Sequence, residues 1–272
     1  MSINERIRNL SSIAGGLMGW EQRGQVGVVT FNRPEVRNAM TMGMYHDLAQ
    51  VCRELDTGGG GVRVLLLISS DQNAFVSGTD ISEFKAFSTP EDALAYEETV
   101  GRCLTVLERC AIPVISAISG ACTGGGMGIA VCSDIRIAQA NIKFGVPIAR
   151  TVGNCLSVES IDRFVRLLGV ARVKELVMTA EFGNADKAMA WGLVSEVLAD
   201  WAALVNRAHE LAASVAENAP ITLSVTKEAV RRLAKVPLPE GGDLIRRAYM
   251  SRDFREGVDS FLNKRKPRWT GG

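Results

Sequence analysis

Ala74-Phe75-Val76-Ser77-Gly78-Thr79-Asp80-Ile81 and Gly124-Gly125-Gly126 each come after an apolar, strand-like run, Val62 to Ser69 for the first and Pro113 to Ser119 for the second. Both read as places where backbone N–H groups are left bare and turned outward. A side chain at Gly124 to Gly126 would stop the backbone from approaching a ligand. Ala121 to Asp134 reads as a loop and then a short apolar helix. The glycines therefore fall at a helix N-terminus, where the dipole adds positive potential. Two N–H donors converging on one carbonyl oxygen make an oxyanion hole, which stabilises an enolate or a tetrahedral intermediate. Taken singly, Gly78-Thr79-Asp80 is as readily a plain turn, and the glycine run a tightly packed helix start. Their joint occurrence after strand-like runs favours a site.

Rival readings of the glycines fail on spacing. A phosphate-binding P-loop needs Gly-Lys-Ser/Thr after four intervening residues, and Gly124-Gly125-Gly126-Met127-Gly128 offers neither the lysine nor the hydroxyl. No G-x-G-x-x-G dinucleotide pattern occurs there, and no G-x-S-x-G nucleophile elbow occurs anywhere in the chain.

Working outward, Leu17 to Glu21 and Val26 to Phe31, separated by Arg23-Gly24-Gln25, read as a β-hairpin. Asn38 to Leu55 has helical period, and Gly58 to Gly61 is a surface loop. Val62 to Ile68 is continuously apolar, as expected of a strand buried on both faces. Thr89-Pro90-Glu91-Asp92 is a strong helix start, and that helix runs to about Cys110. Pro113 to Ser119 and Ile135 to Ala138 are further strands. Beyond Gly145 the pattern is mostly helical, over Ser157 to Leu168, Ala171 to Ala180, Ala185 to Trp191, Trp201 to Asn218, Ile221 to Ala234 and Asp243 to Phe261. Strands alternating with helices, then a run of helices, predict an α/β core over residues 1–200 and a C-terminal helical region over 201–272.

Composition bounds the function. The chain has 272 residues, 47% hydrophobic and 22% charged, with a net charge of +1. That balance gives no electrostatic case for nucleic acid or a membrane. Cys52, Cys103, Cys110, Cys122, Cys132 and Cys155 form no CxxC, and they read as free thiols in a reducing compartment. His46 and His209 are the only histidines, so a His-based metal site or catalytic triad is not expected. Ile13 to Trp20 is apolar but contains two adjacent glycines and runs straight into Glu21, so it is a poor signal-peptide core. A cytoplasmic location is the expectation.

Several ordered motifs carry a resemblance. Val28 to Ala39 contains Asn32-Arg33-Pro34-Glu35-Val36-Arg37-Asn38-Ala39, similar to an "NRPExxNA" turn. Ala74 to Ile81 resembles "AFxxGxDI", and Gly120 to Asp134 resembles "GxxxGGGxxxxxxxD". Ala185 to Val194 ends in Trp191-Gly192-Leu193-Val194, similar to an "AxxxGLV" element, and Phe261-Leu262-Asn263-Lys264-Arg265-Lys266 is similar to an "FxxKR" tail. Together, over roughly residues 18 to 269, they resemble the crotonase, or enoyl-CoA hydratase/isomerase, superfamily. The resemblance implies a spiral of ββα turns whose C-terminal helices build a homotrimer or a dimer of trimers. It implies an acyl-CoA thioester substrate, with coenzyme A as part of that substrate and no separate cofactor or metal. The implied oxyanion donors are the N–H groups of Thr79 and Gly125. Ser77, Gly78, Asp80, Ile81, Gly124, Gly128 and Ile148 are expected to line the substrate, with Asp80 bracing its own loop. Arg37 and Lys264 are the implied phosphate partners and Phe261 the implied cover for the adenine, contributed by a neighbouring subunit.

One departure stands beside the match. Family hydratases carry two glutamates that hold and activate water. Their positions are occupied here by Gly128 and by Ile148, which follows Phe144-Gly145-Val146-Pro147. Without them, water addition lacks groups that each contribute roughly 10²–10⁴ in rate. Substitutes are sought in Ala149 to Glu159: Cys155 with a thiol activated by a following helix, Arg150 as a partner for a substrate oxygen, or Glu159. Glu83 reads as a solvated loop acid. The expected function is an acyl-CoA enzyme of the hydratase/isomerase type working through enolate stabilisation. The alternatives are a decarboxylase, hydrolase or dehalogenase on a CoA thioester, and a catalytically silent acyl-CoA-binding protein.

Overall fold

A computed structural model describes residues 2–9, 12–58, 60–233 and 242–268. In chain order its strands are β1 (Met18–Arg23), β2 (Val26–Phe31), β3 (Val64–Ser69), β4 (Ala74–Val76), β5 (Val114–Ile118), β6 (Ala121–Thr123), β7 (Ile135–Gln139), β8 (Lys143–Gly145) and β9 (Glu196–Leu198). The first two form the hairpin, paired from Met18↔Phe31 to Arg23↔Val26. Its two-residue connection, Gly24-Gln25, uses a positive φ of 59° at Gly24, as such tight turns require. The remaining strands are parallel. Six form one sheet in the order β1-β2-β3-β5-β7-β9, and β4-β6-β8 form a second, smaller sheet.

Each pass of the chain leaves one strand in each sheet and then a helix. β3 and β4 precede helix Pro90–Arg109, β5 and β6 precede helix Gly125–Cys132, and β7 and β8 precede the helices Ile148–Thr151 and Val158–Leu168. This is the expected ββα spiral. The large sheet is buried on both faces, which is why β3 reads as an unbroken apolar run. Alternate residues take opposite sides. Val64, Leu66 and Ile68 meet Leu204, Ala208, Ala212 and Ala216 of helix Trp201–Glu217. Leu65 and Leu67 join the main core with Met44, Leu48, Cys52, Leu104 and Leu107. Helix Trp201–Glu217 thus covers the sheet face opposite the helices that build the site.

Several boundaries differ from the sequence expectation, each for a local reason. Asn38 to Leu55 is not helical from its start. A 3-10 turn at Pro34–Val36 leads into Arg37 and Asn38, both in the left-handed region, and the helix runs Met42–Asp56 with Thr41 accepting from Met44 N at its cap. The strand placed at Val62 starts at Val64 and runs to Ser69. The long helix expected over Asp243 to Phe261 is two, Gly242–Tyr249 and Arg252–Leu262, because Ser251 caps a new start by accepting from Phe254 N. Ala234, the expected end of helix Pro220–Leu233, lies outside the described residues. Thr89 caps Pro90–Arg109 with a full capping box closed by Asp92, as its sequence predicts. Among the described residues, no helix is long and apolar enough to cross a membrane.

Candidate functional site

The turn Arg33 to Asn38 is a fastening. Asn38 is fully buried at φ 55°. Its Oδ1 accepts from Arg33 N at 2.7 Å, while its Nδ2 donates to Ser69 Oγ at 2.8 Å and to Ala74 O at 2.9 Å. The start of β4 is thereby tied to the end of β3. Beyond β4, Met40 N donates to Gly78 O at 2.8 Å and Asp80 N donates to Met40 O at 2.9 Å. These bonds use the polar groups on either side of Thr79 and leave its own N–H turned away from Met40. Arg33 completes the brace, its Nη1 donating to Asp80 Oδ2 at 2.7 Å and to Ala39 O at 3.0 Å. Burial pushes the Asp80 carboxyl up. Hydrogen bonds from Ser82 and Arg33 outweigh that and hold it below the usual carboxylate range.

β4 and β6 run parallel as neighbours, so their C-terminal ends deliver Ser77-Gly78-Thr79 and Gly124-Gly125 to one edge. Thr123 Oγ1 donates to Ser77 O at 2.7 Å, and Gly124 N donates to Gly145 O at 3.0 Å. The two segments touch. A Cβ on Gly124, whose φ is 50°, would lie 3.5 Å from Gly78 Cα, and one on Gly78 would lie 3.9 Å from Gly125 N. Gly125 is the first residue of helix Gly125–Cys132, where an N–H has no intrahelical partner. Among the described residues, no backbone carbonyl outside regular elements accepts from Thr79 N or Gly125 N. Two unspent donors therefore lie on adjacent segments, one of them at a helix start.

Hydroxyl groups pack against Thr79 and Gly125. Tyr45 Oη lies 3.0 Å and Tyr96 Oη 2.8 Å from Thr79 Oγ1. Tyr45 Oη occupies the space that a side chain on Gly125 would need. Burial pushes both phenols above their ordinary range, so they stay protonated. Three hydroxyls bring three protons to two hydrogen bonds, leaving one proton over for a further acceptor.

The glutamate positions of the family hydratases are closed with hydrocarbon. A Cβ on buried Gly128 would lie 3.1 Å from Leu104 Cδ1, so Leu104 fills that space. Ile148 is half-buried against the main core. The substitutes sought in the following loop have these surroundings. Cys155 is not activated: no helix starts beside it, since the next begins at Val158, and burial and then the charge of Glu97 push its thiol up to about 12. Arg150 is exposed and stacks over Phe182, 5.5 Å from the ring centre. Glu159 is an exposed first-turn acid of helix Val158–Leu168. Glu83 is half-buried rather than solvated, its Oε1 accepting from Met42 N at 3.4 Å.

The carboxylate that sequence reasoning missed is Glu97. It is 8% exposed. Its Oε1 accepts from Tyr249 Oη at 2.6 Å and its Oε2 from Ser157 N at 3.2 Å, while Asn154 Nδ2 donates to Tyr249 Oη at 3.1 Å. Burial pushes its carboxyl up to about 7 against the pull of those donors, and nearby Glu159 adds to the rise. A signal was present: Ala93, Glu97, Val100, Leu104 and Leu107 form the buried stripe of their helix, and Glu97 is a charge at a core position of that period. Around this cluster the rings of Phe84, Phe87, Tyr96, Tyr249 and Phe254 pack at centre distances from 4.8 to 6.3 Å. Ile81 packs against the same cluster.

The expected coenzyme-binding residues lie on two segments, the Arg33 to Asn38 turn and the end of helix Arg252–Leu262. Arg37 is exposed beside the Ser77 turn, its carbonyl accepting from Ser77 N at 3.1 Å. Phe261 is 50% exposed near the end of helix Arg252–Leu262, and Lys264 follows at φ 51°. That helix packs on the Ile81–Ala86 turn of its own chain through Phe254 and Phe84. Asp134 serves structure, accepting from Val114 N and Lys227 Nζ, both at 2.7 Å. Among the described residues, no group of three or more His, Cys, Asp or Glu side chains is arranged to hold a metal ion.

This architecture has known counterparts. The family model described as Enoyl-CoA hydratase/isomerase matches residues 21–272. A short-chain-enoyl-CoA hydratase of Clostridium acetobutylicum is 32% identical over 252 residues, covering 90% of this chain and 94% of that protein. The crystal structure of an enoyl-CoA hydratase/carnithine racemase from Magnetospirillum magneticum superimposes with a TM-score of 0.76 at 31% identity, covering 94% of this chain and 96% of that one. A methylmalonyl-CoA decarboxylase in complex with 2-nitronate-propionyl-CoA superimposes with a TM-score of 0.84 at 27% identity, covering 94% of this chain and 99% of that one. With the family model spanning residues 21–272 and a relative 32% identical over 252 residues, the chain belongs to the enoyl-CoA hydratase/isomerase, or crotonase, family.

Proposed function

We propose that this protein is an enzyme acting on acyl-CoA thioesters, with Thr79 N–H and Gly125 N–H holding the thioester oxygen as an enolate forms. The carrying observation is the pair of unspent N–H groups on touching segments at the ends of β4 and β6. Charge developing on the thioester oxygen is met by two fixed donors and a helix N-terminus, and the adjacent carbon can then lose, gain or hold a proton. Gly78 and Gly124 allow the close approach, and Ser77, Asp80 and Ile81 shape the rim. Arg37, Lys264 and Phe261 serve the coenzyme, with Phe261 and Lys264 reaching the site of a neighbouring copy in a trimer or a dimer of trimers.

A second reading has its own support. With Gly128 and Ile148 in place of both carboxylates, and Leu104 filling the space beside Gly128, an enolate-forming reaction that adds no water, such as decarboxylation, fits the lining better than hydration does. The relative that is a methylmalonyl-CoA decarboxylase accords with it. Titration calorimetry with butyryl-CoA against free butyrate and NADH tests thioester binding, which should be specific to the thioester. Equal affinity for all three would refute the proposal. A mass-spectrometric screen over crotonyl-CoA, a β,γ-enoyl-CoA and methylmalonyl-CoA then separates hydration, isomerisation and decarboxylation.

A further inference from the structure

Glu97 is a buried carboxylate beside the candidate site whose surroundings combine a hydroxyl donor, an unsatisfied acceptor and an apolar wall. Its Oε1 is 2.6 Å from Tyr249 Oη, which also accepts from Asn154 Nδ2 at 3.1 Å. Asn154 Oδ1 is buried and has no hydrogen-bond partner, so the cluster presents an acceptor awaiting a donor. The Tyr249 ring stands 6.3 Å from that of Tyr96, whose hydroxyl bonds Thr79 at 2.8 Å. The cluster therefore adjoins the residue whose N–H is the first proposed oxyanion donor. Tyr249 and Ser157 both donate, so the position takes a group with two acceptor oxygens, and burying such an ionisable group carries a cost that an apolar tie between helices would not.

We propose that Glu97, acting through the Tyr249 hydroxyl, is the proton-holding group of this site, and that it serves proton transfer at the carbon next to the thioester carbonyl rather than addition of water. This rests on the thioester reading above. In the forward step the Tyr249 oxygen takes the proton from that carbon while the Tyr249 hydroxyl proton passes to the Glu97 carboxylate. The C–H electron pair moves into the enolate held by Thr79 and Gly125, and the negative charge passes from Glu97 to the thioester oxygen. The reverse step returns the proton to carbon. One carboxylate suffices for this exchange, whereas water addition uses two in the family hydratases. Glu97 is thus a positioning and proton-storing residue, with Tyr249 the group that meets the substrate.

The groups facing Glu97 are Tyr249 from helix Gly242–Tyr249, Cys155 and Glu159 from the segment leading into and opening helix Val158–Leu168, and Tyr45 and Tyr96 from the site itself. Burial pushes the three phenols and the Cys155 thiol upward, so they stay neutral in the working range and Glu97 sets the inflection. The test is deuterium uptake at the α-carbon of butyryl-CoA in heavy water, read by mass spectrometry on the full-length protein, with butyryl-CoA affinity measured in parallel. Uptake should rise through neutral pH. Glu97→Gln and Tyr249→Phe should each lower it about 10²–10⁴-fold with affinity retained, and Glu97→Gln should also remove the inflection. Should Glu97→Gln fail to fold, Tyr249→Phe carries the test. A folded, thioester-binding variant of either kind with unchanged uptake overturns the proposal. Wild-type protein that binds butyryl-CoA without any uptake overturns it too, while leaving thioester binding intact. Failure of the wild type to bind the thioester sinks the underlying reading and this proposal with it.

Discussion

Replacing Gly125 by alanine tests the site where it is most crowded. Gly125 has an ordinary helical backbone, so an added methyl meets no conformational penalty. What it meets is the Tyr45 hydroxyl, with Tyr45 Cζ and Thr79 Oγ1 each at 3.3 Å beyond it. Tyr45 is 1% exposed and cannot swing into solvent. The ring or the helix must shift, at an overpacking cost of about 1–3 kcal/mol. The Tyr45–Thr79 hydrogen bond goes with it, for about 0.5–1.5 kcal/mol. Removing a helical glycine returns about 0.5–1 kcal/mol. The net loss is about 1–3 kcal/mol, and thioester turnover should fall about 10²–10³-fold as the N–H leaves its place.

Tyr45→Phe decides whether that account is right. It deletes the colliding oxygen and, alone, costs only the hydrogen bond, about 1 kcal/mol. Gly125→Ala in that background should then be milder, so the double variant should be more stable than the sum of the singles by about 1–2 kcal/mol. Urea denaturation of the four proteins, with unchanged slopes, gives the coupling directly. Additivity within about 0.5 kcal/mol would mean that the tyrosine hydroxyl does not occupy the space beside Gly125, and the hydroxyl chain behind Thr79 would have to be abandoned.

Restoring the family carboxylates should be harder at Gly128 than at Ile148. Gly128→Glu drives a side chain into Leu104 at a cost of about 1–3 kcal/mol and should be relieved by Leu104→Ala, whereas Ile148→Glu, half-buried in the first turn of a helix, should keep more of the wild-type urea midpoint. Glu97 makes stability fall as pH rises. Its carboxyl moves from 4.5 to about 7 on folding, so the native state binds the extra proton, and the stabilisation present below about 4.5 is lost through about 7, about 3 kcal/mol in all. Glu97→Gln should flatten that slope in denaturation midpoints compared at about pH 5 and about pH 8. Helix Pro220–Leu233 exposes Ile221 at 76%, Val225 at 60%, Val230 at 64% and Leu233 at 85%. Light scattering should report a trimer or hexamer for the wild type and a monomer for Ile221→Glu/Val225→Glu, and a monomeric wild type would refute the assembly.

The large sheet was legible because its strands are long and apolar enough to show. Val64 to Ser69 and Val114 to Ile118 are fully buried, and their β-branched, short apolar runs between turn signals have the length of strands. The small sheet was not, since β4, β6 and β8 have three residues each and no period can be read from three. Ala121 to Thr123 therefore read as loop. Asn38 misled the helix boundary for a related reason. Its left-handed backbone is maintained by side-chain bonds to β3 and β4, a tertiary constraint that local propensity does not carry. The proposed oxyanion donors were legible through glycines, whose need for close approach leaves a mark in sequence. Tyr45, Tyr96 and Tyr249 were not, because each lies in a helix where an aromatic residue reads as core.

Glu97 and Leu104 belong together in any account of the chemistry. They lie on the same buried stripe of helix Pro90–Arg109, seven residues and so about two turns, roughly 10 Å, apart. The C-terminal of the two fills the space beside Gly128 where hydratases of the family hold a carboxylate, and the N-terminal one brings a carboxylate to the aromatic cluster near Thr79. On the proposed reading, a single helix removes acid/base capacity from one side of the site and supplies it on another. A glutamate beside Gly128 would have to displace a packed leucine. Glu97, by contrast, finds two hydrogen-bond donors ready for its oxygens, which is what lets a core position carry an ionisable group at all. On the proposed reading the oxyanion donors stay at the ends of β4 and β6, while the group that moves the proton is set by the buried stripe of helix Pro90–Arg109. On that reading, helix Pro90–Arg109 sets the acid/base chemistry of this chain, while the glycine segments that carry its family resemblance keep the oxygen-binding part of the site.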